Sequence, residues 1–143
     1  MLACTRNNLN IIQLLIKNNA DVNQVNKDGW NCFQIAVREG HQDIIEYFLS
    51  INAEFAFKFK TKNGRTPLHT AALHGHLRIV KLLLEKSDKL DSKMSDKMLN
   101  EKDSCGITPF MDALLADHVE IVEYLIQNYK VVFKFFIPLL NFS

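Results

Sequence analysis

The sequence has few of the residues that punctuate loop-rich folds. Five glycines and three prolines among 143 residues exclude a collagen-like or low-complexity chain; the composition is globular, 48% hydrophobic and 23% charged. No charge sign is in surplus: 17 Lys and Arg face 16 Asp and Glu, a formal net charge of +1. A phosphate backbone or an anionic membrane surface demands clustered excess cations, so no direct nucleic-acid partner and no membrane partner is expected. Cysteine is sparse. Cys4, Cys32 and Cys105 make an odd count without CxxC spacing, which argues against a disulfide framework or a zinc site. They read as three buried or half-buried thiols in a reducing compartment, the cytoplasm and also the nucleus. The start, Met1-Leu2-Ala3-Cys4-Thr5-Arg6, lacks the basic region and apolar core of a signal peptide. The longest apolar stretch, Val131 to Phe142, is broken by Lys134 and Pro138 and is too short for a membrane span, which needs about 20 residues.

What the sequence does have is self-similarity. Arg65 to Leu84 reads RTPLHTAALHGHLRIVKLLL, Ile107 to Ile126 reads ITPFMDALLADHVEIVEYLI, and Trp30 to Leu49 reads WNCFQIAVREGHQDIIEYFL. The three align without a gap, and Ala3 to Ile16 continues the frame. The equivalent alanines Ala3, Ala36, Ala71 and Ala113 are spaced by 33, 35 and 42.

Each recurring position has a physical reading. Thr66 caps a first helix through its hydroxyl, and Pro67 follows at the first helical position, where no amide donor is needed. Thr108 and Pro109 repeat the pair; Asn31 and Cys32 are a weaker version. Ala71 and Ala72 let two helices approach closely. Gly40 and Gly75 suit a positive-φ stop between helices, with Asn7 in the same place and Asp117 a poorer fit. The second helices carry apolar stripes at helical spacing, Ile44, Ile45, Phe48 and Leu49, then Ile79, Val80, Leu83 and Leu84, then Ile121, Val122, Leu125 and Ile126. A single unit cannot cover such a stripe, whereas stacked neighbours can. Tight turns are predicted at Lys27-Asp28-Gly29, Lys62-Asn63-Gly64 and Asp103-Ser104-Cys105-Gly106.

A period near 33 with the element Thr66-Pro67-Leu68-His69, together with Ala71-Ala72, Gly75-His76, Ile79-Val80 and Ala20-Asp21-Val22-Asn23, resembles the ankyrin repeat family over about residues 1–128. The resemblance implies an all-α solenoid of stacked helix-turn-helix units joined by β-hairpin loops. The units would be a partial repeat at 1–26 and repeats at 27–61, 62–101 and 102–128, followed by an apolar tail at 129–143. It implies a protein partner on the concave face, formed by hairpin tips and first helices, with Lys27, Asp28, Trp30, Lys62, Asn63, Arg65 and Asp103 as contact residues. Thr66, Pro67, His69, Gly40, Gly75 and His76 would be structural, the imidazoles fixing backbone groups. A monomer is expected, with no cofactor, no metal and no catalysis. The wording Asn26-Lys27-Asp28-Gly29-Trp30-Asn31-Cys32-Phe33 is unusual for the family and is similar to members associated with alanyl-tRNA synthetase, in which lysines are thought to accept misactivated serine and so suppress mischarging. That likeness implies acyl-acceptor roles for Lys27 and Lys58.

Two segments depart from the pattern. Ser87 to Asn100, charged and Ser-rich, enlarges one connection and reads as a mobile surface loop. Ala53 to Lys60 alternates apolar and basic residues, as a short extended stretch would. The first repeat begins inside its first helix and the tail replaces a polar capping helix, so both ends read as cut from a longer array. The tail itself is either foreign to the array or a fold-back cap. His69, His74 and His76 lie close in sequence, but two of them hold repeat positions, and no metal reading is adopted. Trp30 reads equally as an interface anchor or as packing against a neighbouring hairpin.

Overall fold

A computed structural model describes residues 1–131 and is helical throughout, with no strand among those residues. The apolar tail from residue 132 onward lies outside them. The helices are α1 (Leu2–Thr5), α2 (Leu9–Lys17), α3 (Cys32–Glu39), α4 (Gln42–Lys58), α5 (Pro67–Leu73), α6 (Leu77–Leu90), α7 (Met94–Asn100), α8 (Pro109–Leu115) and α9 (Val119–Tyr129). They pair as α1–α2, α3–α4, α5–α6 and α8–α9. The short inner helices α1, α3, α5 and α8 pack side by side, and behind them α4, α6 and α9 form a second row.

The expected starts and stops are where the chemistry places them. The Asn31, Thr66 and Thr108 side chains accept hydrogen bonds from the backbone N–H of Gln34, His69 and Met111. Thr66 and His69 form a reciprocal capping box, and Pro67 and Pro109 open their helices. Gly40 and Gly75 sit at φ 77° and 74°, and Asn7 and Asp117 take the same left-handed conformation at φ 54° and 60°. At Gly40 and Gly75 space matters as well as φ. A Cβ there would come within 2.8 Å of the His76 ring and 2.6 Å of the His118 ring, so an added side chain would have to displace the ring.

The core is one apolar seam between the two rows. Ile44, Ile45, Leu68, Ala71, Ala72, Val80, Leu83, Leu84, Phe110 and Leu125 are fully enclosed. Phe33 meets Phe48 edge-on, with ring centroids 6.0 Å apart. Two members of the predicted stripes leave the seam: Val122 is only half-buried and Ile126 is 39% exposed.

The two departures are both helical. Ser87 to Asn100 is not a loop. α6 runs on to Leu90, Asp91 breaks it at φ −153°, and α7 follows after a turn in which Asp91 Oδ1 accepts from the Lys93 N–H. Met94, Ser95, Met98 and Leu99 recur at helical spacing and face the core, with Ser95, Met98 and Leu99 buried. That periodicity outweighs the polar composition. The stretch 53–58 is likewise the end of α4, because Ala53, Ala56 and Phe57 share a helical face; Ala56 and Phe57 are buried. Asn52 kinks the helix (φ −157°, ψ 85°) and recaps it by accepting from the Phe55 N–H at 3.0 Å.

The inter-repeat connections are tight turns rather than ladders of strand pairing. Each is closed by two backbone hydrogen bonds: the first residue's N–H donates across the turn, from Asn26 to Trp30, Thr61 to Arg65 and Asp103 to Ile107, at 2.9, 3.0 and 2.9 Å, and its carbonyl accepts from the N–H of Gly29, Gly64 or Gly106. The first side chain of each turn also accepts from the turn's own N–H groups: Asn26 from Asp28 and Trp30, Thr61 from Arg65, and Asp103 from Cys105 and Ile107.

Asn31 carries a defect that its counterparts avoid. It is wholly buried and its Nδ2 has no hydrogen-bond partner, whereas Thr66 and Thr108 cap with a hydroxyl alone. The backbone at Asn31 (φ −92°, ψ 176°) nearly matches that at Thr66 (φ −88°, ψ 167°). Asn31→Thr keeps the cap and removes the orphaned amide. It is expected to raise stability by about 1 kcal/mol in urea unfolding, whereas loss of an ordinary cap costs about that much.

Candidate protein-binding face

Each tip leads directly into an inner helix, the first into α3, the second into α5 and the third into α8. Lys27 and Asp28 are exposed at the first tip, and Lys62 and Asn63 at the second. The Lys62 ammonium reaches back to donate to the Lys27 carbonyl, and the Ser104 N–H donates to the Asn63 carbonyl at 2.9 Å, so successive tips are tied together. The Lys27 amine lies on the exposed tip. Lys58 sits on a different element, at the end of α4, where it is exposed and ion-paired with Glu54 one helical turn back.

Arg65 and Asp103, expected as contact residues, are committed to the fold instead. The Arg65 guanidinium bridges Asp103 Oδ2 at 3.0 Å and Asp112 Oδ2 at 2.6 Å; its side chain is 19% exposed and both carboxylates are 5% exposed. The Arg65 carbonyl accepts from Gln34 Nε2 at 3.2 Å, and Gln34 Oε1 accepts from the Thr70 hydroxyl at 3.1 Å. One polar chain thus crosses three repeats. Burial pushes the Asp103 carboxyl up, but hydrogen bonds from the Ile107 and Cys105 N–H groups and the Arg65 charge outweigh it and hold the group below its usual range.

The histidines do structural work. His69 Nδ1 pairs with the Thr66 backbone and hydroxyl, and its Nε2 donates to the Ile107 carbonyl of the next turn at 2.8 Å. His41, His76 and His118 each send Nε2 to a carbonyl at the end of the preceding inner helix, Thr5 at 3.0 Å, Arg38 at 2.7 Å and Leu73 at 2.9 Å. The His74 and His76 rings stack 6.3 Å apart. Burial lowers the pKa of His69, and that of His74 to the same end, because a buried imidazolium loses hydration.

The tip residues alone did not disclose what remains free on this face. Leu73 and Leu115 occupy the same register on α5 and α8 and are 38% and 76% exposed; Arg38 holds that register on α3. The Arg38 guanidinium lies 5.3 Å from the Trp30 ring centroid, and Trp30 itself is half-buried against the core. Trp30 is therefore partly a packing residue, with an Arg-covered ring at the surface. Leu73 and Leu115 are visible in the sequence as apolar residues in register. Asp112 is not, because its register holds Ile35 and Thr70. The three histidines that follow Gly40, Gly75 and Asp117 do recur, and they mark the inter-repeat links. Cys105 was expected to be at least half-buried but is exposed, since its turn reaches into solvent; Cys4 is buried and Cys32 half-buried. No helix among the described residues is long and apolar enough to cross a membrane.

Two measurements test this assignment of roles. Arg65→Ala leaves two carboxylates buried without their cation and is expected to cost about 3–5 kcal/mol in urea unfolding; adding Asp112→Asn should recover part of the loss. Because the folded pKa of His69 lies below the ordinary 6.5, the unfolded chain takes up the proton first. Stability is therefore full above about pH 6.5 and declines as the pH falls below it. His69→Gln, the residue that Gln34 supplies in the repeat before, should flatten that decline, leaving the contribution of His74.

The sequence matches the family model for ankyrin repeats (3 copies) over residues 1–94 and 56–134. It is 33% identical to the protein fem-1 homolog A-like of Mus musculus across 80% of this chain. It is 36% identical to the E3 ubiquitin-protein ligase XBAT33 of Arabidopsis thaliana across 63% of the chain, and 27% identical to the transient receptor potential cation channel subfamily A member 1 of Homo sapiens across 89%. The chain spans 16%, 18% and 14% of the lengths of these relatives. With the paired helices, the capped Thr-Pro starts and the tied turns, these matches place the chain in the ankyrin repeat family.

Proposed function

We propose that this array is the protein-docking part of an adaptor and that a partner polypeptide lies across its tips and inner helices. An ankyrin array indicates protein–protein interaction, and the observation that carries this reading is chemical. The polar groups between repeats are engaged with one another, while Leu73, Leu115 and the Trp30–Arg38 pair remain on one face with apolar surface to offer. Leu115, 76% exposed, keeps most of its apolar surface out of the packing between repeats. No catalytic step is assigned to the array.

The finer reading concerns the partner. The Asn26 to Phe33 stretch resembles ankyrin repeat domain-containing protein 16, and this supports alanyl-tRNA synthetase as the partner, with a role in preventing serine mischarging in the cytoplasm and nucleus. The exposure of the Lys27 amine supports a companion reading, stoichiometric capture of a misactivated seryl group by Lys27, with Lys58 as a second acceptor. The alternative is a scaffold for an unrelated protein.

Immobilised chain incubated with purified alanyl-tRNA synthetase tests the partner. Retention is expected, and Leu115→Lys should weaken it about tenfold or more while leaving the helical CD spectrum unchanged, because a charge then replaces apolar contact at the face. Absence of retention removes the synthetase reading and leaves the scaffold. Adding ATP and serine should give a seryl adduct on Lys27 by mass spectrometry; unmodified lysines would reject acyl capture.

A further inference from the structure

The pairing of Cys4 with Cys32 lies apart from the docking face. Cys4, on α1, has no solvent exposure; Cys32 is the first residue of α3 and is half-buried. The helices that carry them pack against each other, and the two thiols are near enough to perturb one another's ionisation. The repeat itself does not call for either thiol. Cys32 stands where two other repeats place Pro67 and Pro109, and Cys4 stands where they place Ala72 and Leu114. Chain departures at both positions therefore bring two thiols near one another across the first inter-repeat boundary. Cys32 also lines a cleft of about 320 Å³ with Met1, Leu15, Ile16, Val22 and Phe48, which gives a small reagent access from one side.

We propose that Cys4 and Cys32 form a reversible disulfide that fastens the first repeat to the second, with Cys32 as the attacking sulfur and Cys4 as the resolving one. Cys32 is the sulfur that the cleft reaches while Cys4 is enclosed, and the interaction between the two thiols favours the Cys32 thiolate, which sets that order. The oxidant is a small-molecule disulfide of the glutathione class. The Cys32 thiolate attacks one of its sulfurs, the S–S bond breaks and one thiol leaves. Cys4 then loses its proton and attacks the Cys32 sulfur of the mixed disulfide, and the second thiol leaves. Two protein thiols are oxidised and one small disulfide is reduced to two thiols.

The first repeat is the unit with most to gain. Ile11 and Leu15 are 46% and 48% exposed, while Ile44, Ile79 and Ile121 in the register of Ile11, and Phe48, Leu83 and Leu125 in that of Leu15, are at most 5% exposed. α1 is only four residues long. A bond from Cys4 to Cys32 constrains the unfolded chain across the whole of that weakly covered unit.

The full chain carrying Cys105→Ser, to prevent linkage between molecules, is treated with oxidised glutathione, alkylated and digested. A Cys4–Cys32 cross-linked peptide is expected, together with a Tm rise of roughly 5–10 °C that dithiothreitol reverses. Cys32→Ser and Cys4→Ala, the latter copying Ala72, should each abolish both effects. Cys4→Ala should still accept a single glutathione at Cys32, a readout that also confirms folding. Cys4 and Cys32 both alkylated after oxidation, or a glutathione adduct on Cys32 that persists with Cys4 intact, would overturn the proposal.

Discussion

Each helix pair in this chain leaves an apolar stripe bare until another pair is laid against it, and that single constraint organises the molecule. α4, α6 and α9 each present Ile, Val, Leu or Phe side chains at helical spacing, and these are covered by the inner helix of the same pair together with the neighbouring pair. The inner helices must lie close enough for the seam to close. Small residues such as Ala71 and Ala72 allow that approach, and the left-handed stops at Gly40 and Gly75 turn the chain between the two rows within a couple of residues. The extra length between Ala71 and Ala113 obeys the same rule. It forms α7 because Met98 and Leu99 have a place to be buried, even though its composition is that of a loop.

Stacking supplies attraction but little register, and polar contacts supply the rest. His41, His76 and His118 reach back to carbonyls at the end of the preceding inner helix, where backbone acceptors would otherwise lack intrahelical partners. Arg65 holds Asp103 and Asp112 across one boundary, and Gln34 carries the chain of contacts to the boundary before it. These links consume polar groups that a reading of the turns alone would offer to a partner. What is left on the tip side is the exposed Lys27, Asp28, Lys62 and Asn63 together with Leu73, Leu115 and the ring of Trp30 under Arg38.

Local rules were legible in the sequence wherever a single residue's chemistry sufficed. The Thr66-Pro67 and Thr108-Pro109 starts, the positive-φ stops and the Ile, Val, Leu stripes are all of this kind. Two segments misled for one reason. In Ala53 to Lys60 and Ser87 to Asn100 the composition, or a short alternation, was read ahead of the weaker three-and-four spacing that burial later made decisive. The face was legible only in part. Lys27, Asp28, Lys62 and Asn63 do lie at exposed tips, but the fates of Arg65 and Asp103 depended on a buried aspartate whose position shows no recurrence.

The sequence by itself determined the repeat, its period, the family and the local geometry of each turn, because capping, φ preference and helical periodicity act within a few residues. The tertiary structure alone decided which side chains face one another across a repeat boundary. That is why Arg65 became part of the fold, why Leu73 and Leu115 became surface, and why two cysteines, isolated thiols in the sequence, came to lie near one another. Contacts between residues dozens of positions apart depend on how the pairs stack, and stacking is settled by the sum of buried area over the whole array rather than by any one residue.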